Sequence, residues 1–143
     1  MDQIDFIAYG PIYHYPHMAA ADKLIWERFL REYPTEYDAV AYDVAVGSGP
    51  DFDPTAGGLL GAGIKRLYQL RIDVLAKKGN AVHIIELKPA ADIRAIGQLQ
   101  GYAALFDREY PEYQNVLLRL ITDREVPEIK FLADKAGVQL VVV

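Results

Sequence analysis

The chain has 143 residues, 52% of them hydrophobic, with 20 acids against 15 bases for a formal charge of −5, and no cysteine. Such a length and apolar content suit one domain over 1–143 with a sizeable core, and the missing cysteines exclude disulfides and thiolate zinc sites. No apolar run is long enough to cross a bilayer and no basic-then-apolar leader opens the chain, so a soluble cytoplasmic protein is expected; the net negative charge argues against coating long duplex DNA through a wide basic face.

Residues 1–18, rich in Tyr, Pro and His, read as an irregular N-terminal arm. His14 and His17 have a spacing that could suit a metal, but no third ligand accompanies them, and solvated arm residues are the simpler reading. A helix follows from about Ala21 to Tyr33, with Asp22 as a candidate cap and Ile25, Trp26, Phe29, Leu30 and Tyr33 as an apolar stripe at helical spacing. Tyr37 to Gly47 alternates as a strand does. The Gly- and Pro-rich stretch over 47–66 reads as a long flexible loop. Its "GGLLGAG" has no strand leading into it and no following GK[ST], so a lid carrying Lys65 and Arg66 towards a nucleic-acid backbone fits better than a nucleotide loop.

Two strands come next, about Tyr68 to Ala76 and Ala81 to Leu87, joined by Gly79-Asn80. That pair tolerates positive φ and suits a two-residue hairpin. Closed this way, Lys78 faces Ala81, Asp73 faces Glu86 and Arg71 faces Lys88. Alternation then puts Arg71, Asp73, Glu86 and Lys88 on one face and Ile72, Val74, Ile85, Leu87 on the other, in the core. A helix from Ala91 to about Arg108, the strand "NVLLRLIT", the short helix "PEIKFLADKAG" and a last strand "VQLVVV", expected to be buried on both faces, complete the chain. The order αβββαβαβ implies an α/β fold, a mixed central β-sheet flanked by helices.

Two carboxylates about 5 Å apart repel unless a cation or a proton lies between them. Mg²⁺ (or Mn²⁺) suits such a pair, because it needs only one or two protein carboxylates and completes its shell with water and phosphate. Asp73 and Glu86 are the candidate ligands, with the Leu87 carbonyl near enough to add a third. Lys88 supplies a positive charge beside the metal. The competing reading is a solvated cross-strand ladder of Arg71, Asp73, Glu86 and Lys88. His83 alternates onto the opposite face as a core or interface histidine.

Asp73 in "RIDV", then Glu86 and Lys88 in "ELK", with Gln98 in "AIGQLQGY" on the next helix, resembles the PD-(D/E)xK nuclease superfamily. The likeness covers most of the chain beyond residue 20. It implies a restriction-endonuclease-like core and Mg²⁺-dependent DNA cleavage by Asp73, Glu86 and Lys88. Gln98 would position Lys88 or the nucleic acid; Tyr102, one turn on, reads as packing. Ile72 stands where the family often has proline. The family usually has an acid on the first helix, and Glu32 is preferred here over Glu27, with Asp43 a third candidate. The small size looks most like Holliday-junction resolvases and phage-encoded members, the latter working in the host-cell cytoplasm. The charge favours branched, short or single-stranded DNA, or a partner protein that supplies DNA contacts. A homodimer would suit junction cutting. The rival expectations are an inactive structural or interaction module of the same fold, for instance in a phage particle or nuclease complex, and a small-phosphoester hydrolase, which lacks any nucleotide motif.

Overall fold

The computed structural model describes residues 3–47 and 70–143. The expected loop over 47–66, including Lys65 and Arg66, therefore lies outside the described residues except for Gly47. The described elements are β1 (Ile7–Ala8), α1 (Ala20–Glu32), β2 (Ala39–Val46), β3 (Leu70–Lys78), β4 (Ala81–Leu87), α2 (Ile93–Glu109), β5 (Asn115–Thr122), α3 (Pro127–Lys135) and β6 (Val138–Val142). They form a mixed six-stranded sheet in the order β1-β2-β3-β4-β5-β6. The first four strands pair antiparallel, and β4-β5 and β5-β6 pair parallel.

The arm is not wholly irregular: Ile7 and Ala8 pair with Val40 and Ala39 as a short edge strand. At the other edge, β6 is less covered than its composition suggests, with Gln139 and Val142 exposed. A fully apolar strand is buried on both faces only inside a sheet, and β6 has a neighbour on one side among the described residues. No described helix is long and apolar enough to cross a membrane.

The parallel connections carry α2 and α3 across one face of the sheet, where Ile96, Leu99, Tyr102, Phe106 and Ala133 pack on Ile72, Leu75, Ile84 and Leu120. Helix α1 covers the other face, setting Ile25, Trp26, Phe29 and Leu30 against Val40, Val74, Ile85, Leu87 and Ile121. Trp26 stacks on Phe29 with ring centroids 5.3 Å apart and donates its indole N–H to the Tyr42 hydroxyl at 2.9 Å. Phe29 is wholly buried. Phe29→Ala is expected to cost about 3–5 kcal/mol, read as a lowered urea midpoint with an unchanged slope.

The α1 side also holds a polar cluster. His83 Nδ1 and the Tyr37 hydroxyl share a 2.8 Å hydrogen bond, and Arg119 donates to Tyr37 at 2.7 Å, to Glu36 at 3.3 Å and to Gln139 at 2.6 Å. Burial and the Arg119 charge push the His83 imidazole down to about 4, so it is a neutral core histidine.

Candidate metal centre

The hairpin between β3 and β4 closes as its sequence suggests, with Lys78 opposite Ala81 across Gly79-Asn80 and Gly79 at φ +59°. Regular pairing runs outward to Val74 opposite Ile85 and then stops. At the next step Asp73 turns its carboxylate to the backbone of the neighbouring strand and accepts the Leu87 N–H at 3.0 Å.

The same level is irregular on the other side of β3. Tyr42 pairs with Val74 and Val44 with Ile72, leaving Asp43 across from Asp73. Asp43 has φ +54°, a left-handed conformation rare inside a strand. Both strands change face there. Val40 packs towards α1 while Val44 and Val46 pack towards α2, and Val74 and Ala76 pack towards α1 while Ile72 packs towards α2. An unbroken strand would keep all these even-numbered residues on one face. Because the change falls at paired positions, β2 and β3 turn together and stay in register. Ile72 thus joins the α2-side core, not the Val74, Ile85 and Leu87 side as simple alternation requires. Arg71 does not face Lys88 either. It lies opposite Ala45 and donates Nη1 to the Asp43 carbonyl at 3.2 Å and to Asp43 Oδ2 at 3.1 Å.

Glu86 keeps the orientation of Val82 and Ile84, towards α2, and is buried. Its carboxyl lies close enough to that of Asp73 for the two to perturb each other. Burial raises the Asp73 carboxyl above the usual range, and the charges of Asp22 and Asp43 push the same way against the Leu87 N–H. Burial, then Asp73 and Asp22, raise that of Glu86, and Lys88 opposes them. Without a cation, such a pair relieves its repulsion by sharing a proton. Glu86 Oε2 is buried with no hydrogen-bond partner.

A solvated ladder does not fit this geometry. Glu86 is buried and Asp73 half-buried, Arg71 pairs with Asp43, and Lys88 has no carboxylate within ion-pair distance among the described residues. Lys88 is half-buried just past the end of β4, where its N–H donates to the Ile121 carbonyl at 3.0 Å and its charge reaches Glu86, Asp22 and Asp92. The turn beyond it is fixed by side chains of the neighbouring strand end. Ala90, at φ +43°, donates to Asp123 at 2.8 Å, and Ala91 donates to Thr122 Oγ1 at 3.1 Å. Asp92 then caps α2. Tyr102 is buried one side of the acids; burial and the charges of Glu86 and Asp73 push its hydroxyl up to about 12. Gln98 sits one turn before it, exposed.

The helix acid that acts on this pair is Asp22, not Glu32. Ten residues separate them, about 15 Å along a helix, and Glu32 is exposed at the far end of α1. Asp22 does not cap the helix: the cap is Ala19, with no side-chain bond. The signal was available, since 22, 25, 26 and 29 follow the i, i+3, i+4, i+7 spacing of the buried stripe. Glu27 pairs with Lys23 on the surface at 3.8 Å. His14 is exposed, and His17, also exposed, brings Nε2 within 3.7 Å of Asp43 Oδ2.

Among the described residues no three His, Cys, Asp or Glu side chains form a ready-made metal cage. A buried and a half-buried carboxyl with an unpartnered oxygen nevertheless suit a hard cation that takes most of its shell from water and substrate.

No family model and no curated protein matches the chain. Solved structures similar in fold include a protein of unknown function, AF1548 (TM-score 0.52, 13% identity, covering 84% of this chain and 56% of that one). Others are a repair endonuclease from Pyrococcus abyssi (TM-score 0.47, 16% identity, 92% and 49%) and EndoMS in complex with double-stranded DNA (TM-score 0.46, 16% identity, 92% and 48%). The chain spans about half the length of these structures. The likeness is one of fold.

Proposed function

We propose that this domain hydrolyses DNA phosphodiesters with Mg²⁺ or Mn²⁺ held by Asp73 and Glu86, as an endonuclease or exonuclease of the PD-(D/E)xK type. The observation that carries this reading is Glu86 Oε2, a carboxylate oxygen buried without a partner beside a second, half-buried acid. An unsatisfied buried polar atom costs about 1–3 kcal/mol, more when charged. A divalent cation removes that cost and the repulsion together. When bound, the cation supplies Lewis-acid stabilisation and an activated water. Asp73 and Glu86 hold it, and the Leu87 carbonyl is the third candidate ligand. Lys88 offsets negative charge growing on the phosphoryl oxygens. Tyr102 packs within electrostatic reach of both acids, and exposed Gln98 is the residue assigned to steady Lys88 or touch the nucleic acid. Asp22, not Glu32, is the acid from the first helix.

The charge of −5 favours branched, short or single-stranded DNA, or a partner protein that brings further DNA contacts; a homodimer supplies the two sites that junction cutting needs. Incubation with branched, single-stranded and duplex DNA in Mg²⁺ or Mn²⁺ is expected to give nicks that EDTA abolishes, and titration calorimetry is expected to show Mn²⁺ binding. No nicking of any substrate together with no Mn²⁺ heat would leave the domain as a structural or interaction module of this fold.

A further inference from the structure

Beside the acid pair lies a small cleft lined by Pro16, His17, Met18, Asp43 and Asp73. Two of its residues, His17 at φ +50° and Asp43 at φ +54°, hold left-handed backbone conformations without being glycine. Each such conformation costs about 1–3 kcal/mol, and residues of this kind gather where function needs a fixed geometry. Asp43 collects two groups from distant parts of the chain. Arg71 reaches its carbonyl and its carboxylate with a single nitrogen, Nη1, and His17 approaches the same carboxylate oxygen. Both hydrogen bonds of Arg71 use Nη1, leaving Nε and Nη2 unspent, and its side chain is about a quarter exposed at 27%.

We propose that Arg71 and His17, gathered on the Asp43 carboxylate beside this cleft, form a phosphate contact that holds a backbone phosphate next to the one acted on at Asp73 and Glu86. The inference rests on the nuclease reading and adds a substrate contact to it. A site with Asp22, Asp43, Asp73 and Glu86 in mutual range repels a polyanion unless cations flank it. A guanidinium with donors to spare is the side chain best shaped for phosphate, since its fork matches two phosphate oxygens. Asp43 acts here as a positioning residue: it fixes the guanidinium plane through Nη1 and leaves the other edge of the fork for the ligand.

The test is fluorescence anisotropy with short labelled single-stranded and duplex oligonucleotides in Ca²⁺, with each variant's Mn²⁺-induced melting shift measured alongside. Arg71→Ala is expected to weaken binding about tenfold and to lower the slope of log K against log salt by about one, as loss of one phosphate contact should. Arg71→Lys should recover part of the affinity. His17→Ala, at an exposed side chain that the fold does not need, is expected to weaken binding several-fold. The Mn²⁺ shift should persist in all three. Wild-type affinity and salt slope in Arg71→Ala and His17→Ala, with the wild type binding DNA, would overturn the phosphate contact and leave the metal site standing. No DNA binding and no Mn²⁺ shift in the wild type would remove both.

Discussion

Glu86→Gln is expected to lower DNA cleavage by about a thousandfold or more, the roughly 4 kcal/mol that a metal-assisted step supplies, while raising the melting temperature of the metal-free domain. The two effects have one cause. The glutamate side chain is buried beside Asp73 with an oxygen that nothing satisfies, so its ionised form is held at a cost that a cation, or failing that a shared proton, relieves. An amide keeps the shape, removes the charge and can donate to Asp73. Asp73→Asn should likewise stop cleavage and keep the fold, because its carbonyl oxygen can still accept the Leu87 N–H. Asp73→Ala loses that bond, about 1 kcal/mol, and so gains less stability. Lys88→Ala is expected to lose roughly 10²–10³ in kcat with Mn²⁺ affinity within a few-fold of wild type, the mark of a group that acts on developing charge. Gel assays of cleavage beside calorimetric melting read all four. Cleavage by Glu86→Gln at the wild-type rate would sink the metal assignment.

The pH dependence of stability without metal should be unusual. The carboxyls of Asp73 and Glu86 are raised in the folded state, so that state binds more protons than the unfolded chain above the ordinary carboxylate range. Their contribution is fully present below the unfolded values of about 4 and is lost as pH rises through the raised ones. Metal-free stability should therefore fall as pH is taken from about 6 to about 8, by roughly 1–3 kcal/mol, and excess Mg²⁺ should flatten this limb by replacing the shared proton. His83 works in the opposite direction. Its imidazole is lowered to about 4, so stability held above its unfolded value near 6.5 is lost as pH falls towards 4. Between about pH 4.5 and 6 the two raised carboxyls outweigh the one imidazole, so the expected sum peaks near the acid end of the range and falls from there as pH rises. Urea midpoints across that range, with and without Mg²⁺, check it, and Glu86→Gln should remove the upper limb alone. A metal-free curve flat from about pH 6 to pH 8 would show that the pair is not held as described.

Much of this arrangement is legible in the sequence because it depends on local periodicity. The Gly79-Asn80 turn sets a register that counts outward without error to Val74–Ile85, and the alternating pattern from Ala81 to Leu87 carries Glu86 to the α2 side. The stripe of Ile25, Trp26, Phe29 and Leu30 places α1 by the same logic. Counting fails at Asp73 and Asp43. There two strands change face together, Ile72 crosses to the other core and Arg71 leaves Lys88 for Asp43. Alternation assumes extended backbone at every residue, and a φ of +54° in Asp43 breaks that assumption with no glycine to announce it. Asp22 was overlooked for a different reason. An aspartate near a helix start reads first as a cap, although its spacing from Ile25, Trp26 and Phe29 put it on the buried face.

What the residue order determined alone is every described element but β1, the mixed sheet with helices on two faces, and the approach of aspartate 73 to glutamate 86. Each follows from interactions between near neighbours along the chain, where period and turn chemistry govern. Only the tertiary structure decided that Glu86 is buried beside half-buried Asp73 with one oxygen unpartnered, that Asp22 and Asp43 add their charge, and that His17 and Arg71 gather on one carboxylate. Burial and electrostatic company are properties of segments brought together across the fold, and no local pattern encodes them.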